Sequence, residues 1–173
     1  SSGGGTVNGL WDLADEIKAA QKPIIAHISY MGASAAYLCA SQCKEIFLND
    51  KFSSVGSIGT IQVIMSQYEK MQKEGTKAIV LRSKGSENKA VLHPMEALDE
   101  EDPLIKAAIA KEQALIDGMR EEFLSRVMAM RPKVAENIDG DMYAGKEAIG
   151  LGLADTIGNL EAAIVRAAYL GLK

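Results

Sequence analysis

The sequence is poor in the side chains that most often carry metal and redox chemistry: its 173 residues include two histidines and two cysteines. Cys39 and Cys43 stand four apart, a helical spacing that puts both on one face beside Leu38 and Ala40. They read as two buried free thiols, because a zinc site needs more ligands than this region supplies. Free thiols favour a reducing compartment. No apolar run reaches the ~18 residues of a membrane span, and no secretory leader is visible. Charge of one sign is also scarce. The net charge is −4 with both signs scattered along the chain, which gives no electrostatic attraction to nucleic acid or to an anionic membrane.

What is present is an ordinary globular composition, 47% hydrophobic and 24% charged, enough to bury a core within one domain spanning 1–173. The chain opens at Ser1 in a glycine-rich loop with no strand before it. It therefore reads as a piece of a longer parent, whose N-terminal strands and targeting signals would lie upstream. A cytoplasmic location is favoured over membrane association through such an upstream segment.

The four prolines punctuate the pattern. Leu10, Leu13, Ala14 and Ile17 recur at helical spacing, so Val7–Ala20 reads as a helix that Lys22-Pro23 stops. Ile24–Tyr30 is a short run rich in β-branched residues and reads as a buried strand broken by Gly32. Ala33–Ser41 reads as helix, Glu45–Leu48 as strand, Val55–Ile64 as a β-rich stretch, and Ser66–Lys73 as a helix closed by Gly75. Ala78–Leu81 reads as strand and Ser83–Pro94 as loop. Asp102-Pro103 offers a capping side chain with proline behind it. From there Ile105, Ile109, Ile116, Met119, Phe123, Val127 and Met130 make one stripe of a long helix that ends at Pro132. Gly145–Gly150 (helix), Leu153–Ile157 (strand) and Leu160–Leu170 (helix) complete an α/β alternation.

Ser34 is the residue that stands out. It sits between a buried strand and a helix of small residues, where a serine hydroxyl is exposed and backbone N–H groups face it. Gly32, Ala33, Ala35 and Ala36 leave room for a substrate backbone. The plain alternative is that Ser34 only caps a helix. A nucleophilic serine also needs a base. His27 lies mid-strand and reads as a hydrogen-bonded core or sheet-face residue. His93 reads as a solvated loop residue. Neither has an orienting carboxylate at a recognisable spacing. The loop 82–89 offers two lysines, Lys84 and Lys89.

Several blocks, taken in order, resemble one family. Ser2-Gly3-Gly4-Gly5-Thr6 and the helix after it, Lys22-Pro23-Ile24-Ile25-Ala26, Gly32-Ala33-Ser34-Ala35-Ala36-Tyr37, Val55-Gly56-Ser57-Ile58-Gly59, and the stretch from Asp139-Gly140 through Tyr143-Ala144-Gly145 to Gly158 are similar to the signatures of the signal peptide peptidase A family, which includes phage capsid-processing relatives. The resemblance implies a Clp-protease/crotonase-like layered fold of strand–strand–helix units. It also implies a serine endopeptidase acting on peptides or unfolded protein, with Ser34 as nucleophile. Lys89 keeps the family's Lys-to-Pro spacing, to Pro94, and is the implied base. The Ser83-to-Lys89 spacing is two residues longer than the family pattern, which keeps Lys84 as the alternative. Gly4 and Ala35 are the implied oxyanion donors and Ser57 the implied partner of the lysine. No cofactor or metal is implied. Ala35-Ala36 stands where the family has Gly-Gly, and the usual proline of the glycine-rich segment is absent.

Two rivals stay open on the same scaffold: a crotonase-like acyl-CoA enzyme, which would leave Ser34 unexplained, and a non-catalytic assembly protein. The substrate class within the protease reading is a signal peptide or a phage scaffold or capsid protein. The long apolar stripe leads to an expected homo-oligomer. Tyr30-Met31, Val55, Ile58 and the Gly3–Gly5 loop are expected to line a cleft for small apolar residues.

Overall fold

The computed structural model describes residues 1–172, which divide into two compact units, 1–60 with 119–172 and 61–118. The first unit holds the strands. Helix α1 (Leu10–Ala19) is followed by β1 (Ile25–Ile28), β2 (Met31–Ala33), α2 (Ala35–Ser41), β3 (Glu45–Leu48) and β4 (Ser54–Gly56). The chain returns to this unit within the 28-residue helix Pro103–Met130 and adds a strand Met142–Ala144, a helix Gly145–Gly150, a strand Thr156–Ile157 and a helix Leu160–Gly171. With α3 (Tyr68–Lys73) in the second unit, these five later elements are, in order, α4, β5, α5, β6 and α6.

Consecutive strands go to different sheets. One sheet is ordered β1-β3-β6 and is parallel throughout; the other is ordered β2-β4-β5, with β2 and β4 parallel and β5 antiparallel to β4. Gly32, read as a strand breaker, lies inside β2, paired with Val55. The run Ile24–Tyr30 and the three residues after it are thus two strands, one for each sheet. A parallel pair needs a crossover, and α2 supplies it for both β1-to-β3 and β2-to-β4. Tyr37, Leu38, Ile46, Leu48, Val55, Ile58, Val127 and Leu153 are fully buried and form the centre of the core.

The far end of α2 is fixed by a buried cation. Arg131 donates from Nε to Ser41 O (3.2 Å), from Nη2 to Cys43 O (2.6 Å) and from Nη1 to Asp155 Oδ2 (2.7 Å). Asp155 Oδ2 also accepts from the Ile46 N–H at 2.7 Å. Orphan carbonyls at a helix end need such donors, and a fork of N–H groups supplies several from one side chain. Tyr37 OH donates to Leu153 O at 3.0 Å in the same interior. Cys39 and Cys43 are free, as expected; Cys43 is buried, but Cys39 is half-buried. Burial pushes the Cys43 thiol up to about 11.

The second unit carries α3 and the first half of α4. Asp102 caps α4 as the sequence predicts, its Oδ1 accepting from the Leu104 N–H at 2.7 Å. Ala78–Leu81, expected as a strand, joins no ladder, and neither does the stretch after Gly56 in the expected β-rich run Val55–Ile64. Both are left with alternate apolar side chains in solvent: Ile61 and Val63 in one, with Met65 just past its end, and Ile79 and Leu81 in the other. A cavity of about 360 Å³ lies in this unit, lined by Tyr68, Val80, Val91, Met95, Leu104 and Ile105 among others. No helix among the described residues is long and apolar enough to cross a membrane.

Candidate active site

Strand β2 is held on both sides. Ser2 bridges to Gly32, with Ser2 N–H donating to Met31 O (2.7 Å) and Ala33 N–H to Ser2 O (3.0 Å). On the other side β4 pairs in parallel, and the Ser34 N–H donates to Gly56 O at 3.0 Å. The chain must then turn sharply into α2. It does so at Ser34, with φ 51° and ψ −125°. This is backbone that an L-residue with a Cβ avoids, and such residues cost about 1–3 kcal/mol each.

The hydroxyl of Ser34 makes no capping hydrogen bond to α2. A capping serine works by accepting from the N2 or N3 amide, so capping does not explain this serine. The turn leaves the side chain half-buried and without a hydrogen-bond partner among the described residues. The Ala35 N–H at the start of α2 likewise has no acceptor among them.

Gly4 lies directly against this corner, at φ 105°. A Cβ there would fall 2.7 Å from Ser34 Cβ, 3.0 Å from Ala33 O and 3.2 Å from Ala35 N. Only glycine allows that approach. The Gly4 N–H donates to Ser2 Oγ at 3.3 Å, a long and exposed contact that a stronger acceptor would displace. Ser57 follows Gly56 on the other side, also at positive φ (52°), and its N–H donates to Asp141 O at 2.8 Å. Ser34, Ala35, Gly4 and Ser57 are therefore brought together in one unit by β2, β4 and the Ser2 bridge.

Lys89 and Lys84 belong to the second unit, both exposed and in turns. The Lys89 N–H donates to Ser86 O at 3.0 Å, and its ammonium has no hydrogen bond or ion pair among the described residues. The residue after it, Ala90, has φ 52°. Ser34, Ser57 and Ala90 are the non-glycine residues with positive φ among those described. Strain of this kind clusters at functional positions.

His27 is on β1, in the sheet without β2, a sheet-face residue as one of its two readings has it, but its buried Nε2 has no hydrogen-bond partner among the described residues. His93 Nδ1 accepts from the Met95 N–H in its own loop. Val55 and Ile58 are fully buried and present nothing to a substrate, so the expected cleft lining loses two of its members. Alternation explains Val55: on a paired strand one face turns to the core.

Sequence reasoning missed β5. Met142-Tyr143-Ala144 is too short to show a period of two, and its Asp139-Gly140 approach resembles a simple turn. The strand covers β4, with Gly56 facing Met142. Tyr143 OH donates to the Asp139 carboxylate, which holds the phenol up at about 12 and the Asp139 carboxyl below its ordinary range.

A doubly sheeted α/β unit with an uncapped serine at a strand-to-helix corner is the arrangement these residues define. The sequence profile of peptidase family S49 matches residues 16–171, and the chain belongs to that family. The chain is 31% identical, over 98% of its length, to a Synechocystis sp. protein carried under the name "Putative protease". It is 28% identical over 95% to a Methanocaldococcus jannaschii protein of the same description, and 29% identical over 93% to the "Capsid assembly protease C" of Escherichia phage lambda. It spans 60%, 52% and 36% of the lengths of these relatives.

The corner predicts a contrast between two glycines. A Cβ on Gly56, at φ 134°, would meet Asp141 O at 2.4 Å, whereas one on Gly59 would meet nothing within 4 Å. Gly56→Ala should lower unfolding stability by about 2–4 kcal/mol, and Gly59→Ala should stay within about 1 kcal/mol of the parent. Urea unfolding of the two variants measures this; equal effects would show that the close approach at Gly56 is not what holds β4 and β5.

Proposed function

We propose that the chain is the catalytic part of a serine endopeptidase on a Clp-protease/crotonase-like scaffold, with Ser34 as nucleophile and Lys89 as general base. The observation that carries this is the Ser34 corner: a strained serine whose hydroxyl caps nothing, with Gly4 and the Ala35 N–H packed around it. Membership of a peptidase family supports it further. The two sheets filled by consecutive strands support the scaffold.

In this reading neutral Lys89 takes the Ser34 hydroxyl proton as Oγ attacks the scissile carbonyl. The Ala35 and Gly4 N–H groups donate to the oxyanion. Lys89 returns the proton to the leaving amine, and water then cleaves the acyl-enzyme. A lysine acts as a base only as the neutral amine, the form that desolvation favours. Lys89 is exposed here, so the base forms when substrate or a second copy covers it. Ser57 is the hydroxyl that orients the lysine.

Substrates in this reading are peptides or unfolded protein, signal peptides or phage scaffold and capsid proteins. The lambda relative's name supports the second class. A homo-oligomer is part of the proposal, supported by the exposed rows Ile61, Val63, Met65 and Ile79, Leu81, more apolar surface than a monomer usually leaves open.

Two measurements follow. With fluorescein-labelled casein as substrate, Ser34→Ala and Lys89→Ala should each lower kcat by about 10⁴-fold or more with unchanged circular dichroism. Retained cleavage in Ser34→Ala would end the serine reading. Retained cleavage in Lys89→Ala with loss in Lys84→Ala would move the base to Lys84. Light scattering should give a mass of several copies; a single-copy mass at micromolar concentration removes the oligomer from the proposal.

A further inference from the structure

Of the three non-glycine residues with positive φ among those described, Ala90 is the one with no close packing to explain it: it is exposed, in a turn of loop 83–94. A left-handed L-residue costs roughly 1–2 kcal/mol, so an exposed turn keeps it only if something else holds the backbone. Arg82 does so. Its Nε donates to Lys89 O at 2.6 Å and its Nη2 to Ala90 O at 2.7 Å. Those two carbonyls belong to the peptide planes on either side of the Ala90 Cα. Pinning both fixes φ and ψ of Ala90 together.

The guanidinium is itself braced. Nη1 donates to Glu96 Oε1 at 3.0 Å and Nη2 to Glu96 Oε2 at 2.5 Å, a two-pronged pair. The Arg82 side chain is only 20% exposed, which separates it from an ordinary surface ion pair. Glu96 is anchored through its main chain, its N–H donating to His93 O at 3.0 Å and its carbonyl accepting from Ser66 Oγ at 2.9 Å. The guanidinium holds the Glu96 carboxyl below its ordinary range. A lysine at 82 could not reproduce this, since one ammonium has no planar fork to span two carbonyls and a carboxylate.

We propose that Arg82 is a positioning residue for Lys89: braced by Glu96, it sets the peptide planes about Ala90 and so fixes the direction in which the Lys89 side chain leaves the loop. This rests on the reading of Lys89 as the base. A misdirected base costs rate, up to about 100-fold for an ångström-scale error, and leaves substrate binding alone.

The test compares Arg82→Lys, Arg82→Ala and Lys89→Ala with the parent chain on fluorescein-labelled casein. Kinetics are combined with thermal unfolding and amide hydrogen exchange over 83–92. For both Arg82 variants kcat should fall by about 10- to 100-fold, with KM and unfolding temperature unchanged and exchange over 83–92 faster. Millimolar guanidinium should restore part of the kcat of Arg82→Ala and none of that of Lys89→Ala. Parent-like kcat in Arg82→Lys and Arg82→Ala, with Lys89→Ala inactive, overturns the positioning role and leaves the base reading intact. A fall in kcat accompanied by a raised KM or a lowered unfolding temperature also overturns it, because Arg82 would then be a general structural clamp. Full activity in Lys89→Ala overturns the base reading, and the positioning role with it, whatever Arg82 does.

Discussion

Everything in the first unit is arranged around one disfavoured backbone conformation, the left-handed φ of Ser34. A residue there is kept only when its surroundings over-determine it. The surroundings are on both sides: the Ser2 bridge on one edge of β2 and β4 on the other, with the Ser34 N–H bonded to Gly56 O. Two glycines make this possible. Gly4 lets the N-terminal loop come within Cβ distance of the serine, and Gly56 lets β5 close on β4. The result is a hydroxyl carried at a corner that the helix does not use as a cap.

A corner is only as well placed as the helix it leads into. Helix α2 has seven residues, too few to be stable alone, and it is fixed from both ends. Its start is the Ser34 turn. Its last carbonyl, that of Ser41, and the Cys43 carbonyl just beyond it go to Arg131, whose charge is met by Asp155, and Tyr37 reaches Leu153 O in mid-core. The sequence distance between these partners, 90 residues from Ser41 to Arg131, means that the C-terminal half of the chain positions the helix that begins beside the serine. Arg131 is buried while Asp155 is partly exposed, and the pair gains its place by satisfying many groups at once more than by raw attraction.

Much of this was legible before any coordinates. Glu45–Leu48 and Gly145–Gly150 appear with the expected bounds, and Asp102-Pro103 starts the long helix as its capping chemistry requires. The misses share a cause: a short segment's pairing is a tertiary fact. Gly32 reads as a breaker because glycine weakens strands, yet here it accepts a close neighbour between Ser2 and β4. Ala78–Leu81 has the right residues for a strand and no partner among the described residues. In the site, the position of Ser34 between a buried strand and a helix of small residues marked the corner and left two readings of the serine; the absence of a cap bond, which no sequence shows, removes the capping one. Arg82 carries no motif at all. Its role is visible only because the loop folds Lys89 O and Ala90 O back onto it.

The reactivity of Ser34 is what everything else at this site depends on. Treatment of the chain with a fluorophosphonate, followed by intact-mass measurement and peptide mapping, tests it without any assumption about substrate. The predicted result is one phosphonyl adduct per chain, located on Ser34 and lost in Ser34→Ala. An unmodified chain after prolonged exposure, or an adduct on another serine that persists in Ser34→Ala, would contradict the claim that the strained corner holds a nucleophile.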